Sequence, residues 1–452
     1  MTIRTIRHYH QRGLLAEPAR DASGYRRYEA QAVIDLIRIR TLADAGVPLA
    51  CSTPSPSRSP RPWESDRAEK ETHPAPEADT LRGVTDVDLA PLAAAAGAAL
   101  SRRFGPVTLT GCTRLPGSDR AHVFRAQVSA ARGAPPTVIV KAPTGSGAVR
   151  EPAALRVLGD AGVGGVPEVL AETDELLVMA DVGTGHSLAD RLRGDDPEAA
   201  TAALIGWAEA VARLQASTVG LGSTFAAALA DRSPLGPPPV DTADAELAAA
   251  AAGLATNLPR LGVTPGSGAL AAIRALASGL APAGTALDPG DACPDNNLET
   301  PDGLILLDFE WAEFRHVGWV AAYLRVPWPT CWCSWRMPDE VTDAALGRWR
   351  RTLAPTLPSV ASGEFAGTLG RLTAAWAFLS MEFFLARAIE GDPPSPDPDR
   401  QRPGLRALLQ HRLAAIEEAP VPAEVSDLAA ETLAATRRTW GDRPLDVAPA
   451  WR

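Results

Sequence analysis

The sequence predicts an α+β protein with two lobes, a small strand-rich lobe followed by a larger helical lobe, and three observations support this prediction. Short apolar runs between turn residues occupy residues 106–180. From about residue 183 to 438 the apolar residues recur mainly at helical spacing (i, i+3, i+4). Apolar residues make up 46% of the chain and charged residues 22%, which is typical of a globular protein with a substantial core. A chain of 452 residues is also long for one domain, so we expect two or three units.

The first expected unit, residues 1–50, is small, helical and basic. It has eight Arg against five Asp or Glu, a charge of +3, so the rest of the chain must carry −13 to give the net charge of −10. Residues 51–80 are rich in Pro, Ser and charged residues without an apolar period, so we interpret them as a flexible linker. A basic segment joined to an acidic body suggests separate functions for the two parts.

The small lobe is predicted over residues 81–180. It begins with an Ala-rich helix over 89–105, and two strands follow around a turn that contains Gly117 and Ser118. The segment PTVIVKAP predicts a third strand, VREPAALRVLGDAG a helix that ends at a glycine, and ELLVMADVG a further short strand.

The large lobe is predicted over residues 181–445, and it is mostly helical. Long Ala-rich segments, such as PEAATAALIGWAEAVARLQAS, have the apolar spacing of helices, and such segments continue to about residue 438. GLILLDFEW is the one segment here that we predict as a strand.

The sequence also indicates the cellular compartment in which we expect the protein. It has no apolar leader and no run that approaches 18 uninterrupted apolar residues, so we expect neither a signal peptide nor a membrane span. Five scattered cysteines fit a reducing cytoplasm. Cys331 and Cys333 are separated by one residue, which is not the usual zinc spacing, and no second pair is near in the sequence. We therefore interpret the cysteines as structural and the protein as cytoplasmic.

Five polar residues suggest a chemical site. Lys141 is one of two lysines among 44 basic residues, and it ends an apolar strand where its charge needs a partner, which Glu151 can provide. Asp291, Asn296 and Asp308 lie at the two ends of a predicted hairpin arm. These three are either turn residues of a surface hairpin or oxygen ligands that hold Mg²⁺ against a phosphate. The order and spacing of all five favour the second interpretation.

The segments PGDACPDNNL and LILLDFEW resemble the pattern His-Gly-Asp-x-x-x-x-Asn…Asp-[Phe/Trp]-[Glu/Asp] of the aminoglycoside phosphotransferase and choline-kinase-like families, which share the protein-kinase fold. The resemblance spans about residues 95–390. It implies that Asp291 is the catalytic base, that Asn296 and Asp308 bind magnesium, and that Glu310 has a supporting metal role.

The same resemblance implies a two-lobed kinase-like fold and a nucleotide site for ATP or GTP. The residues assigned to nucleotide binding are Lys141, Glu151, Gly117, Ser118, Met179, Ala180 and Val182. The chain departs from the family pattern at Pro289, which replaces the histidine that usually braces the catalytic loop. The alternative of a catalytically inactive kinase-like protein therefore stays open.

The expected function is ATP- and Mg²⁺-dependent phosphotransfer to a hydroxyl of a small molecule, with an aminoglycoside-like amino sugar, and hence antibiotic inactivation, as one candidate. The acidic body suits a cationic acceptor. Four tryptophans between residues 319 and 335 form either part of the core or a wall on which a sugar or flat ring stacks.

Residues 2–50 resemble the DNA-binding domain of MerR-type regulators, with a recognition helix and a wing that grips the DNA backbone. The matching positions are Arg4, Arg7, His8, Tyr9, Arg20, Tyr25, Arg26, Arg27 and Tyr28. The resemblance begins inside the two-helix unit, and the linker stands where the family has its dimerising helix, so we expect a partial DNA-binding segment. The alternative function is thus a MerR-like transcription regulator whose kinase-like body senses a ligand and has weak or no catalysis.

Overall fold

The computed structural model describes residues 89–115, 121–129, 133–143, 147–233, 236–301, 303–392 and 402–452. These residues belong to the second of the two units into which the chain divides, Thr85–Arg452. The MerR-like segment, the linker and the turn with Gly117 and Ser118 lie outside the described residues.

The small lobe consists of one five-stranded antiparallel sheet and two helices. Its elements are α1 (Ala90–Phe104), β1 (Thr108–Arg114), β2 (Ala121–Ser129), β3 (Thr137–Pro143), α2 (Gly147–Asp160), β4 (Val169–Glu172) and β5 (Leu177–Ala180). The strand order is β1-β2-β3-β5-β4, and every neighbouring pair is antiparallel.

The two faces of this sheet have different partners because side chains alternate along a strand. Val138 and Val140 of β3 belong to the core cluster that contains the buried residues of α1. Ile139, on the opposite face, packs against the other cluster, which contains α2 and the large lobe. Lys141 has the parity of Ile139, so the sheet itself directs its side chain towards α2 and the large lobe.

The large lobe is built mainly from helices around one apolar core. Its helices are α3 (Leu188–Arg193), α4 (Pro197–Thr218), α5 (Gly222–Arg232), α6 (Ala243–Asn257), α7 (Ser267–Arg274), α8 (Gly318–Ala321), α9 (Asp339–Leu353), α10 (Phe365–Glu390), α11 (Leu405–Glu417) and α12 (Ala423–Trp440). Short 3₁₀ turns are Leu258–Leu261, Pro282–Gly284, Ala322–Leu324, Pro358–Ala361 and Pro449–Trp451.

Two small two-stranded sheets lie in the first half of the large lobe. β6 (Thr285–Asp288) pairs with β9 (Glu313–His316), and β7 (Asn297–Thr300) pairs with β8 (Gly303–Leu306), both antiparallel. The register of the second pair places Asn297 opposite Leu306. The residues that flank these strands, Asn296 and Leu307, are joined by a hydrogen bond of 2.9 Å from the Leu307 N–H to the Asn296 carbonyl.

The described elements confirm most of the local predictions and correct others. The helix over 89–105, the three strands of the small lobe, the following helix and the strand around 177–180 are all present. Only β8 was predicted in the large lobe, so β6, β7 and β9, and also β4 in the small lobe, were missed. Each has four residues, too few to show the alternation that identifies a strand. β8 is equally short, and it was predicted because it lies in the continuous apolar run GLILL.

Within the described residues one helix, Phe365–Glu390, is long and apolar enough to span a membrane. Two thirds of its most apolar window (67%) is buried inside the protein. Its composition is therefore accounted for by its position in the core of the large lobe.

Candidate active site

Lys141 lies at the centre of the site, between two carboxylates. Its Nζ atom is 2.6 Å from Oε2 of Glu151 and 2.6 Å from Oδ1 of Asp308. The side chains of Lys141 and Glu151 are only 7% and 2% exposed, whereas that of Asp308 is 32% exposed. The pairing that the sequence predicted for Lys141 is present, and the structure adds Asp308 as a second partner.

Burial and charge act against each other on this group. Burial alone lowers the pKa of Lys141, but the carboxylates of Glu151 and Asp308 outweigh it and raise that pKa above its ordinary value. Burial raises the pKa of Glu151, although Lys141 and the Phe309 N–H oppose this shift. With all three side chains ionised, the group carries one excess negative charge beside a partly exposed carboxylate, which favours a cation.

Helix α2 carries Glu151 and is fastened to the large lobe by the preceding residue. The guanidinium of Arg150 donates to the carbonyl of Ala312 at 2.8 Å and to that of Pro239 at 2.9 Å. It is also 3.8 Å from Glu313 in a buried ion pair. These contacts fix Glu151, and through it Lys141, relative to the large lobe.

Asp308 and Asn296 lie side by side because β7 and β8 pair as they do. Asp308 directly follows Leu307, which bonds to the backbone of Asn296, and its φ of 61° lies in the left-handed region that few residues except Gly, Asn and Asp adopt. Lys141 contacts Oδ1 of Asp308, and Asn296 donates through Nδ2 to the carbonyl of Asp291 at 2.8 Å. Carboxylate and amide oxygens such as those of Asp308 and Asn296 are of the type that hard cations bind.

The loop that carries Asp291 is braced by groups that the sequence reasoning did not identify. Asp288, 1% exposed, accepts the Gly290 N–H at 2.7 Å and the Nε–H of Arg315 at 2.8 Å. Burial lowers the pKa of Arg315, but Asp288 and Glu313 more than compensate and raise it. Asp288, the residue before Pro289, thus anchors the loop. Pro289 is the position at which the phosphotransferase families that the sequence resembles have a histidine.

Gly290 allows this loop to pack closely against the segment that follows Asp308. Its φ is +76°, and a Cβ atom built at this position would lie 1.8 Å from the carbonyl oxygen of Trp311. Only glycine satisfies both the conformation and the space. The backbone just before Asp291 is therefore held against the chain that follows Asp308.

The two adjacent asparagines have different roles. Asn297 is 1% exposed, and its amide donates to the carbonyls of Pro294 and Cys293 at 2.9 and 3.3 Å. Its Oδ1 accepts the N–H of Leu188, the first residue of α3, at 2.9 Å. Asn297 is a structural clamp on the loop, whereas the side chain of Asn296 is partly exposed and borders Asp291.

The other predicted nucleotide and metal residues lie as follows. Met179 and Ala180 end β5, and the Ala180 N–H donates to the carbonyl of Glu168 at 2.8 Å. Val182 is partly exposed just beyond the strand. Glu310 is 5% exposed, and its side chain lies against Gly147, the first residue of α2.

The tryptophan cluster is mostly core. Trp319, Trp328 and Trp335 are 1%, 0% and 6% exposed. Trp332 is partly exposed; its indole N–H donates to Oδ2 of Asp295 at 2.8 Å, and the guanidinium of Arg193 is 5.5 Å from its ring centre. Within the described residues Trp332 is thus the most exposed member of the cluster.

The described residues have the two-lobed kinase-like fold that the sequence predicts. A small antiparallel sheet precedes a helical lobe, a buried Lys–Glu pair joins β3 to α2, and Asn296 and Asp308 lie at the ends of the β7–β8 hairpin. The chain resembles structures of small-molecule kinases and phosphotransferases. A choline/ethanolamine kinase family protein from Mesorhizobium loti is 18% identical, with 76% of this chain and 99% of that chain covered and a TM-score of 0.41.

Two other similar structures are phosphotransferases. A macrolide 2'-phosphotransferase from Brachybacterium faecium is 15% identical, with 74% and 98% of the two chains covered and a TM-score of 0.39. An ADP-bound aminoglycoside phosphotransferase is 11% identical, with 70% and 95% covered and a TM-score of 0.40. The family model named MerR family regulatory protein matches residues 1–28. No curated protein matches the chain.

Proposed function

We propose that this protein is an ATP- and Mg²⁺-dependent phosphotransferase that acts on a hydroxyl group of a small molecule. One observation carries the proposal: the buried ammonium of Lys141 is shared between Glu151 and Asp308, and Asp308 is adjacent to Asn296 across the β7–β8 pair. Phosphoryl transfer requires a fixed cation for the phosphates, oxygen ligands for a metal and a carboxylate base. Lys141 would supply the cation, Asp308 and Asn296 the ligands, and Asp291, whose carbonyl accepts the side-chain N–H of Asn296, the base.

The side chains present fit magnesium. Asp308 and Asn296 would hold it, because carboxylate and amide oxygens are the ligands that Mg²⁺ prefers and both have an oxygen to offer. When bound, the ion neutralises negative charge on the phosphates. Lys141 would then share its charge between Glu151 and the α- and β-phosphates, as Asp308 turns to the metal.

Asp291 would serve as the base. The acceptor oxygen forms a bond to the γ-phosphorus, the bond between that phosphorus and the bridging oxygen breaks, and ADP leaves. The proton of the acceptor hydroxyl passes to the carboxylate of Asp291. Asp288 and Arg315 would keep the loop in place during this transfer, so the proline at position 289 is compatible with catalysis.

The first test is thermal unfolding with and without Mg·ATP, since it requires no knowledge of the acceptor. A nucleotide at about 100 times its dissociation constant adds roughly 2.7 kcal/mol to the stability of the folded state, a shift of several degrees in Tm. We expect this shift in the wild type and in the control Asp174→Asn, an exposed carboxylate between β4 and β5, but not in Asp308→Asn. A wild type without any Mg²⁺-dependent shift contradicts the proposal.

The second test separates binding from turnover. We expect Asp291→Asn to keep the Tm shift with Mg·ATP and to lose ADP production in a screen of hydroxyl acceptors. Amino sugars belong in that screen because the chain is acidic and Asp295 borders Trp332. Equal turnover in the variant would refute the role of Asp291.

A second candidate function is DNA binding by residues 1–28, and the match to the MerR family regulatory protein model favours it. Arg26→Ala or Arg27→Ala should weaken binding to duplex DNA and reduce the slope of log K against log salt by roughly one, because each variant removes an arginine that binds a phosphate. The matched control is Arg438→Ala, an exposed arginine of α12. Equal binding by all three variants would argue against this function.

A further inference from the structure

Three of the five cysteines meet beside the candidate catalytic loop. Cys293 lies within that loop, between Asp291 and Asn296, whereas Cys331 and Cys333 belong to the segment before α9. The Sγ atoms of Cys331 and Cys333 are 2.8 Å apart. The ligand atoms of Cys293, Asp295 and Cys331 all lie within 4.8 Å of one another. The sequence analysis found no partner for the Cys331 and Cys333 pair, and the structure supplies one from 38 residues upstream.

Asp295 completes this cluster with a carboxylate. Its Oδ2 accepts the indole N–H of Trp332 at 2.8 Å, and its Oδ1 is 3.9 Å from Sγ of Cys331. The Trp332 contact fixes the carboxylate so that one oxygen is directed to the thiols. Cys293 and Cys333 are 6% and 0% exposed, but Cys331 and Asp295 are partly exposed, which leaves an approach from solvent.

A buried cation lies close enough to Cys331 to interact with its charge. Arg412 of α11 is 0% exposed, and within the described residues its Nε and Nη1 atoms have no hydrogen-bond partner. Burial lowers its pKa to about 9, and the opposing influence is the charge of Cys331. An unneutralised arginine in a core is unfavourable unless negative charge is nearby. The arginine is therefore complementary to ionised thiols.

The positions of the sulfurs suit a soft metal ion. The sulfur of Cys331 lies within 4.8 Å of both the sulfur of Cys293 and a carboxylate oxygen of Asp295, and the sulfur of Cys333 is 2.8 Å from that of Cys331. A soft metal ion binds thiolates and replaces the protons of the thiols.

We propose that Cys293, Cys331, Cys333 and Asp295 form a zinc site that fastens the candidate catalytic loop to the segment before α9. Zn²⁺ binds thiolate, with Zn–S distances of about 2.3 Å, and carboxylate oxygen in a tetrahedral arrangement. This geometry places sulfurs about 3.8 Å apart, so Cys331 and Cys333 must separate by about 1 Å, within reach of side-chain rotation. On binding, each protonated thiol releases its proton to solvent, and the interaction of Arg412 with Cys331 partly offsets the excess negative charge of the three thiolates and one carboxylate.

The expected consequence rests on the proposed function, because the metal would hold Asp291 and Asn296 through the residues between them. The binding itself does not depend on that function. The experiment measures zinc, cadmium and stability rather than turnover, so its failure would leave the phosphotransferase proposal intact, and the reverse also holds.

The test uses the full-length reduced protein. We expect one zinc per chain by elemental mass spectrometry, and Cd²⁺ added to the metal-free protein should produce the ultraviolet charge-transfer band of cadmium thiolate. Both signals should be lost in Cys331→Ser and Cys293→Ser. They should persist in the control Cys51→Ser/Cys112→Ser, in which the three clustered cysteines are unchanged. Removal of zinc by a chelator should lower the Tm of the wild type and of the control by several degrees, but not that of Cys331→Ser.

Two results would overturn the inference. The first is a reduced wild type that takes up neither zinc nor cadmium at micromolar concentrations. The second is metal binding that survives unchanged in Cys331→Ser and Cys293→Ser, because the metal then lies elsewhere. The wild-type titration does not depend on the folding of any variant.

Discussion

Replacement of Lys141 by methionine tests the centre of the site, because it removes the one cation that two carboxylates share. Methionine preserves most of the length of the side chain and leaves Glu151, 2% exposed, without its partner. At an effective dielectric constant of about 20, charges 2.6 Å apart attract by about 6 kcal/mol. The cost of burying the two ions largely offsets this gain. The intact pair therefore contributes little net stability, but removal of one partner leaves a buried charge and costs about 3–5 kcal/mol.

A double-mutant cycle isolates this effect. Glu151→Gln keeps the shape of the side chain and an oxygen that can accept the Phe309 N–H. We expect Lys141→Met/Glu151→Gln to be more stable than the sum of the single changes predicts, by at least about 2 kcal/mol. The measurement is urea unfolding, followed by tryptophan fluorescence.

The pH dependence of Lys141→Met gives a second readout. Burial raises the pKa of Glu151 in the folded protein, and removal of the lysine raises it further. The folded variant then binds a proton that the unfolded chain releases, so its stability should fall as the pH rises above 4.5, the ordinary pKa of a glutamate.

The matched control for Lys141→Met is Arg103→Met, which removes a surface partner of Glu168; the two side chains are 50% and 61% exposed. Such pairs contribute about 0–1 kcal/mol. If Lys141→Met costs no more than this control, or if the cycle shows no coupling, the buried triad does not have the assigned energetics.

Three other predictions concern the loop, the core and the metal ligands. Gly290→Ala should destabilise the protein by about 3 kcal/mol or more in urea unfolding, because its Cβ would meet the Trp311 carbonyl. The control is Gly262→Ala, at a similar φ of +77° but in open space, which should cost only about 1–2 kcal/mol. Equal destabilisation by the two variants would rule out the close approach. Burial lowers the pKa of His316 from 6.5 to about 4, so the unfolded chain binds more protons than the folded protein between these pH values. The free energy of unfolding should therefore fall by up to about 3 kcal/mol as the pH decreases from about 6.5 to 4. His316→Gln should show a weaker pH dependence than the wild type. Asn296→Ala should weaken the Mg²⁺ dependence of the Tm shift with ATP without loss of fold, since its side chain is partly exposed, and an unchanged Mg²⁺ titration would remove it from the metal site.

Much of the candidate site is readable in the sequence because it depends on local periods. The alternation along β3 directs Lys141 away from the α1 face, and the short β7–β8 turn returns the chain so that Asn296 and Asp308 become neighbours. Ten residues from Lys141 to Glu151 allow a strand end, a turn and the first turn of a helix. Such relations extend over one or two elements, and strand and helix geometry fixes them.

Other parts could not be read from the sequence. The brace of Asp288 and Arg315 joins β6 to β9 across 27 residues, and neither residue lies in a recognisable motif. β6, β7 and β9 have too few residues for a period, and they form because neighbouring strands and the surrounding core satisfy their backbone. The functional roles of all the assigned site residues, including Gly117, Ser118 and residues 1–50, stay predictions.

The sequence by itself determined the kinds of chemistry available: one lysine on a strand, carboxylates and an amide at the ends of a hairpin, a lobe of strands before a lobe of helices. Only the tertiary structure decided that Lys141 contacts two carboxylates, that an aspartate and an arginine brace the loop beside Pro289, and that the thiols of Cys293 and Cys331 meet at the carboxylate of Asp295. The physical reason is that local patterns specify how side chains alternate or repeat along one element. The packing of many elements against a shared core specifies which residues from distant parts of the chain meet.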